Sequence, residues 1–187
     1  MEPSMDRLTE LARRLLRKGG RTIIGITGPP GAGKSTIAAA IVGAVGADAR
    51  PEGCTGYLRH AGVHGIATET PRRHRGRRLC ATIRARDRGS HSRAVAIERH
   101  VPLVVTEGNY LLVGDGAWAE VRHLLDTCWY VDLPETIRQR RLTARHEGYG
   151  RSAGEALGRT LGSDQVNTEV VEATRHRADL FITSGAD

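Results

Sequence analysis

The sequence of 187 residues contains no run of 18 or more apolar residues, which leaves no candidate for a membrane-spanning helix. Met1 to Leu16 includes Glu2, Asp6 and Glu10 among its apolar residues, so a secretory leader is not expected there and the expected compartment is the cytoplasm. Cysteine is scarce. Cys54, Cys80 and Cys128 lie far apart, with no Cys-x-x-Cys pair and no histidine at zinc-site spacing, so neither a disulfide framework nor a structural metal is indicated. Between Arg50 and Arg93 there is no lysine and one aromatic residue, Tyr57, and so no interleaved stacking pattern of the kind that binds single-stranded nucleic acid.

What is present fits one domain, residues 1–187, with length enough for a substantial α/β core and too little for two. The net charge of +7 ordinarily raises a nucleic-acid or membrane partner, but it is concentrated in one place. Residues 50–93 hold eleven arginines against three acids, and the rest of the chain is close to neutral. This basic segment has little apolar periodicity, and a stretch of that length without structure is unusual inside a compact domain.

Elsewhere the patterning alternates. Leu8, Leu11, Ala12, Leu15 and Leu16 predict a helix over 5–18, stopped by Gly19-Gly20. Strands are expected at 22–26, 101–106, 128–133 and 179–183, and helices at 34–45, 118–126, 135–146 and 170–177. Strands separated by helices imply a parallel sheet covered on both faces, a three-layer α/β/α architecture.

Gly28-Pro29-Pro30-Gly31-Ala32-Gly33-Lys34-Ser35, followed by Thr36, matches the phosphate-loop pattern G-x-x-x-x-G-K-[ST] in full and lies between an expected strand and an expected helix. Glycines allow backbone amides to turn inward around phosphates. The helix that follows presents its positive end, Lys34 reaches the β- and γ-phosphates, and Ser35 places a hydroxyl on Mg²⁺. A P-loop NTPase fold with ATP and Mg²⁺ as ligands follows. Glu107 closes an apolar strand, where open α/β sheets place functional groups, and is the expected partner of the metal or substrate. Asp132 ends the next strand, but the Pro134 turn beyond it favours a structural role. Arg138, Arg140, Arg141 and Arg145 project from one helix ahead of a glycine turn, so residues 135–152 read as a lid whose arginines meet transition-state charge. Helical spacing does not allow all four to face inward. Arg138 is assigned to the nucleotide, and Arg141 and Arg145 to catalysis with Lys34 and Glu107.

Taken together, residues 25–36 with Val-Thr-Glu-Gly-Asn-Tyr-Leu-Leu at 105–112, Trp-Tyr-Val-Asp-Leu-Pro at 129–134 and Arg-Leu-Thr-Ala-Arg-His at 141–146 resemble the uridine kinase, phosphoribulokinase and pantothenate kinase group of P-loop kinases. The resemblance covers roughly residues 8–49 and 95–184 and extends to Ser163, Asp164 and Asn167. It implies ATP-dependent phosphorylation of a hydroxyl on a small acceptor, with Glu107 in the active site and the arginines in a lid, and it admits a homodimer. Such kinases have a second strand ending in the Asp of a Met-Asp-Gly-Phe-His type element, the general base. Here Asp48 precedes the place for that strand and nothing from 50 to 93 matches, so the second strand is expected to be missing or disordered.

With suitable synonymous codons, Gly53 to Arg88 read one base later permits Gly-Ala-Pro-Gly-Thr-Phe-Asp, then Gly-Tyr-Thr-Ala-Leu-Leu-Arg-Arg-Leu-Arg, then Ala-Pro-Arg-Phe-Glu-Arg-Glu-Ile-Glu. These are phrases used by that kinase group at this place. A frame-shifted stretch, entered after Asp48 and left near Arg93, accounts for both the missing strand and the basic excess. Two other readings stay open: a nucleotide-binding switch that hydrolyses without an acceptor, and a module that contacts nucleic acid through 50–93.

Overall fold

The computed structural model describes residues 4–48, 56–59 and 101–183. Among these, five strands form one parallel sheet in the order β2-β3-β1-β4-β5, comprising β1 Thr22–Thr27, β2 Gly56–Arg59, β3 Leu103–Glu107, β4 Thr127–Asp132 and β5 Leu180–Thr183. Five helices accompany them: α1 Met5–Leu16, α2 Lys34–Asp48, α3 Glu135–Gly148, α4 Ala153–Leu161 and α5 Ser163–Ala173. The three-layer α/β/α class is as expected.

Alternation along the strands sends neighbouring side chains to opposite faces. Ile24 and Ile26 of β1, Leu103 and Val105 of β3, and Trp129 and Val131 of β4 face a core shared with Leu8 and Ala12 of α1 and Ala38, Ile41 and Val45 of α2. α2 packs between α1 and the sheet through Ile37, Ala38, Ile41 and Val45, and leaves Thr36, Ala39, Ala40 and Gly43 exposed. The other face carries Cys128 and Tyr130, which pack with Leu111, Leu112, Val121, Leu125 and Val171 of α5. Gly25 belongs to this second face, where an added Cβ would lie 2.6 Å from Leu125 Cδ1 and 3.1 Å from Cys128 Sγ.

Three expectations need correction. A second strand is present: Gly56–Arg59 pairs in parallel with β3, placing Arg59 in register with Glu107. The remainder of the basic segment, including Cys54 and Cys80, lies outside the described residues. The helix expected over 118–126 is instead two short 3-10 turns, Gly116–Trp118 and Arg122–Leu124. Asp126 explains why, since its carboxylate accepts from Ile23 N at 2.7 Å and its amide donates to Ile23 O at 2.9 Å. This clasp on β1 requires extended chain where a helix would have to continue. At the C-terminal end, α5 starts at Ser163 and ends at Ala173, so the helix expected over 170–177 is shifted toward the N-terminus, with a 3-10 turn at Arg175–Arg177. α4 is missed by apolar spacing because Gly154 and Gly158 interrupt it. Its start is nonetheless written in the chain: Ser152 and Glu155 form a reciprocal capping box.

Candidate phosphate-binding and metal site

The candidate site forms where β1 and β3 end and α2 begins, at the carboxyl edge of the sheet. Three glycines within six residues adopt positive φ: Gly28 at 144°, Gly31 at 83° and Gly33 at 92°. L side chains rarely adopt these conformations. Two of the glycines are also hemmed in. A Cβ on Gly28 would lie 2.5 Å from Val131 O of β4, and one on Gly31 would lie 2.7 Å from Leu142 Cγ and 3.1 Å from Arg138 O of α3. The loop is therefore wedged between β4 and α3, and its amides lead into the positive end of α2, where Thr36 N and Ile37 N donate to Gly33 O at 3.1 Å.

Lys34 is 8% exposed and its Nζ donates to Gly28 O at 2.8 Å and Pro29 O at 2.9 Å. Burial depresses its pKa to about 8; the Glu107 carboxylate opposes that shift, and the Arg145 guanidinium adds to it. Ser35 Oγ donates to Glu107 Oε1 at 2.8 Å, and Glu107 is itself 4% exposed. A hydroxyl and a carboxylate side by side are hard oxygen groups suited to Mg²⁺. Among the described residues no cluster of three or more His, Cys, Asp or Glu could cage a metal. These two oxygens alone would leave most of an Mg²⁺ shell to phosphates and water.

α3 supplies the arginines. Arg141 Nη1 lies 4.0 Å from where a Cβ on Gly33 would sit, and Arg145 is near enough to influence Lys34. Arg140 is exposed. Arg138, expected at the nucleotide, is 1% exposed and turns its guanidinium to α5, where Nη2 donates to Gln165 Oε1 at 2.6 Å. Of the sequence-derived residues, the structure thus brings together the loop from Gly28 to Thr36, Glu107, Arg141 and Arg145, and sets Arg138 behind them. Asp132 pairs with Arg175 at 2.5 Å, at the edge of β4. Sequence reasoning passed over Gln165, whose side chain accepts from a residue 27 positions away and leaves no local signal.

No family model matches the chain. A Schizosaccharomyces pombe protein named "putative uridine kinase" is 25% identical over 96% of this chain and 90% of its own length. An uncharacterized Escherichia coli protein is 30% identical over 46% of this chain and 37% of its own length. In fold, the chain is similar to a "putative fructose transport system kinase" from Silicibacter sp., with TM-score 0.69, 22% identity and coverage of 93% of this chain and 98% of that one. It is also similar to a "putative P-loop containing kinase with a circular permutation" from Saccharomyces cerevisiae, with TM-score 0.68, 11% identity and coverage of 98% and 99%. Among the described residues no helix is long and apolar enough to cross a membrane. The phosphate loop and the sheet that frames it share the fold of P-loop kinases, and the sequence is similar to the fission-yeast protein over nearly its whole length.

Proposed function

We propose that the protein transfers the γ-phosphoryl group of ATP to a hydroxyl of a small metabolite of the nucleoside, sugar or pantothenate class, in the cytoplasm. The observation that supports this most directly is the Ser35 hydroxyl on the buried Glu107 carboxylate beside Lys34, with Arg141 and Arg145 approaching from α3. In such a transfer the acceptor oxygen bonds to the γ-phosphorus, the bond from that phosphorus to the bridging oxygen of ADP breaks, and the hydroxyl proton passes to a base. Loop amides and Lys34 hold the phosphates, and Arg141 and Arg145 offset the charge that spreads over the transferring group. Ser35, with Glu107 beside it, would hold Mg²⁺, whose chemistry is to neutralise the β- and γ-oxygens.

The acceptor side is weaker. The resembling kinases end their second strand on a carboxylate, whereas β2 here ends on Arg59 in register with Glu107. Loss of a general base costs roughly 10² to 10⁴ in rate, so turnover is expected to be slow. Incubation with γ-labelled ATP and a panel of nucleosides, sugars and pantothenate tests the proposal. Label in an acceptor supports it. Label released only as inorganic phosphate would replace the kinase reading with that of a hydrolytic switch.

A further inference from the structure

α3 presents two adjacent stripes. Arg138, Arg141, Leu142 and Arg145 recur at helical spacing on the side of the phosphate loop, where Leu142 and the Arg138 backbone abut Gly31 and Arg141 approaches Gly33. The neighbouring side meets α4 and α5. There Thr143 Oγ1 donates to Thr160 Oγ1 at 3.1 Å, His146 Nε2 lies 2.7 Å from Asp164 Oδ2, and the guanidinium of Arg138 reaches Gln165. Arg151 Nη1 stands 3.3 Å from His146 Nδ1. An arginine only donates, so this contact calls for His146 Nδ1 as acceptor and Nε2 as donor to Asp164.

The two consecutive residues Asp164 and Gln165 therefore grip α3 at Arg138 and His146, eight positions and about 12 Å apart along the helix axis. Both gripped side chains are largely enclosed, at 1% and 9% exposure. A helix pinned at two such points cannot roll. A roll of one residue, about 100°, would carry Arg141 and Arg145 off the loop. Packing alone does not account for the choice of groups. Arg138 Nη1 is buried without a hydrogen-bond partner, and an apolar side chain of similar size would fill the space without that penalty.

We infer that Asp164 and Gln165 are positioning residues, which fix the rotation of α3 and thereby hold Arg141 and Arg145 over the phosphate loop. α3 is on this account a fixed wall of the nucleotide site. The inference rests on the nucleotide-binding part of the proposed function, and its test reads binding, so it does not depend on turnover.

The test is a mutant cycle on MgATP affinity, measured by calorimetry on the full chain. Gln165→Leu should weaken binding about tenfold, and Gln165→Glu, which still accepts from Arg138, should restore it to within about twofold. In an Arg141→Ala/Arg145→Ala background the Gln165→Leu change should add nothing, because the groups it positions are gone. An equal loss in both backgrounds, or no loss in the wild-type background, overturns the inference. Should Gln165→Leu fail to fold, Asp164→Ala with Asp164→Asn as its rescue is read through the same cycle. A wild-type protein that binds MgATP yet phosphorylates no acceptor would remove the kinase reading and leave this result standing.

Discussion

Raising the pH from 7 to 9 should weaken nucleotide binding through a single side chain. Lys34 sits at 8% exposure with its ammonium on two loop carbonyls, and burial brings its pKa down from 10.5 to about 8. A bound triphosphate sets negative charge beside that ammonium and favours its protonated form, so protonation and nucleotide binding reinforce each other. At pH 7 almost every free molecule is already protonated. At pH 9 only about one in ten is, so the apparent dissociation constant should rise about tenfold, equivalent to about 1.4 kcal/mol. Calorimetry in buffers of different ionisation enthalpy should also show uptake of about half a proton per nucleotide at pH 8. Folding stability should respond with the opposite sign. The folded-state pKa lies below the unfolded one, so the unfolded chain binds more protons between about pH 8 and 10.5, and the Lys34 contribution to stability rises with pH there. Deprotonation of Lys34 thus does not itself favour unfolding over this range. Lys34→Met should bind weakly at every pH in this range. An affinity that stays flat in the wild type, or a tenfold fall that persists in Lys34→Met, would refute the argument.

Other expectations concern different parts of the molecule. Glu107→Gln keeps an acceptor for Ser35 but loses the charge, so the Mg²⁺ concentration for half-maximal ATP binding should increase about tenfold, as a magnesium titration would show; an unchanged requirement would remove Glu107 from the metal site. Gly31→Ala forces a Cβ to 2.7 Å from Leu142 at a φ of 83°, and strain together with overpacking should cost about 2–4 kcal/mol in urea denaturation, whereas a loss under about 0.5 kcal/mol would mean that α3 does not seat on the loop. Burial drives the Cys128 thiol up to about 12, so peptide mapping after a thiol reagent at pH 8 should find it unlabelled in the folded protein and labelled after denaturation. The codons for Gly53 to Arg88, read one base later, should spell the kinase-like phrases given above; any other reading ends the frame-shift explanation.

The phosphate loop, the parallel α/β class and the place of Glu107 were legible in the chain because each depends on neighbours in sequence. Gly28, Gly31 and Gly33 are glycines because the backbone turns there, and the strand before and helix after are written in apolar spacing. Local signals were weaker where a distant contact decided the outcome. The segment before β4 looks helical until Asp126 is drawn onto Ile23, more than a hundred positions away. Arg138, Arg140, Arg141 and Arg145 all read as lid arginines, with Arg138 assigned to the nucleotide, and helical spacing cannot say which of them face the loop. Tertiary packing does, since α5 offers Gln165 to Arg138 while Arg141 approaches Gly33 and Arg145 comes near enough to influence Lys34. Sequence alone thus determined that a phosphate-binding loop exists and which residues compose it. Which arginines meet it was decided only when α3 was pinned between the loop and α5, because the direction of a helix face is fixed by what packs on both of its sides.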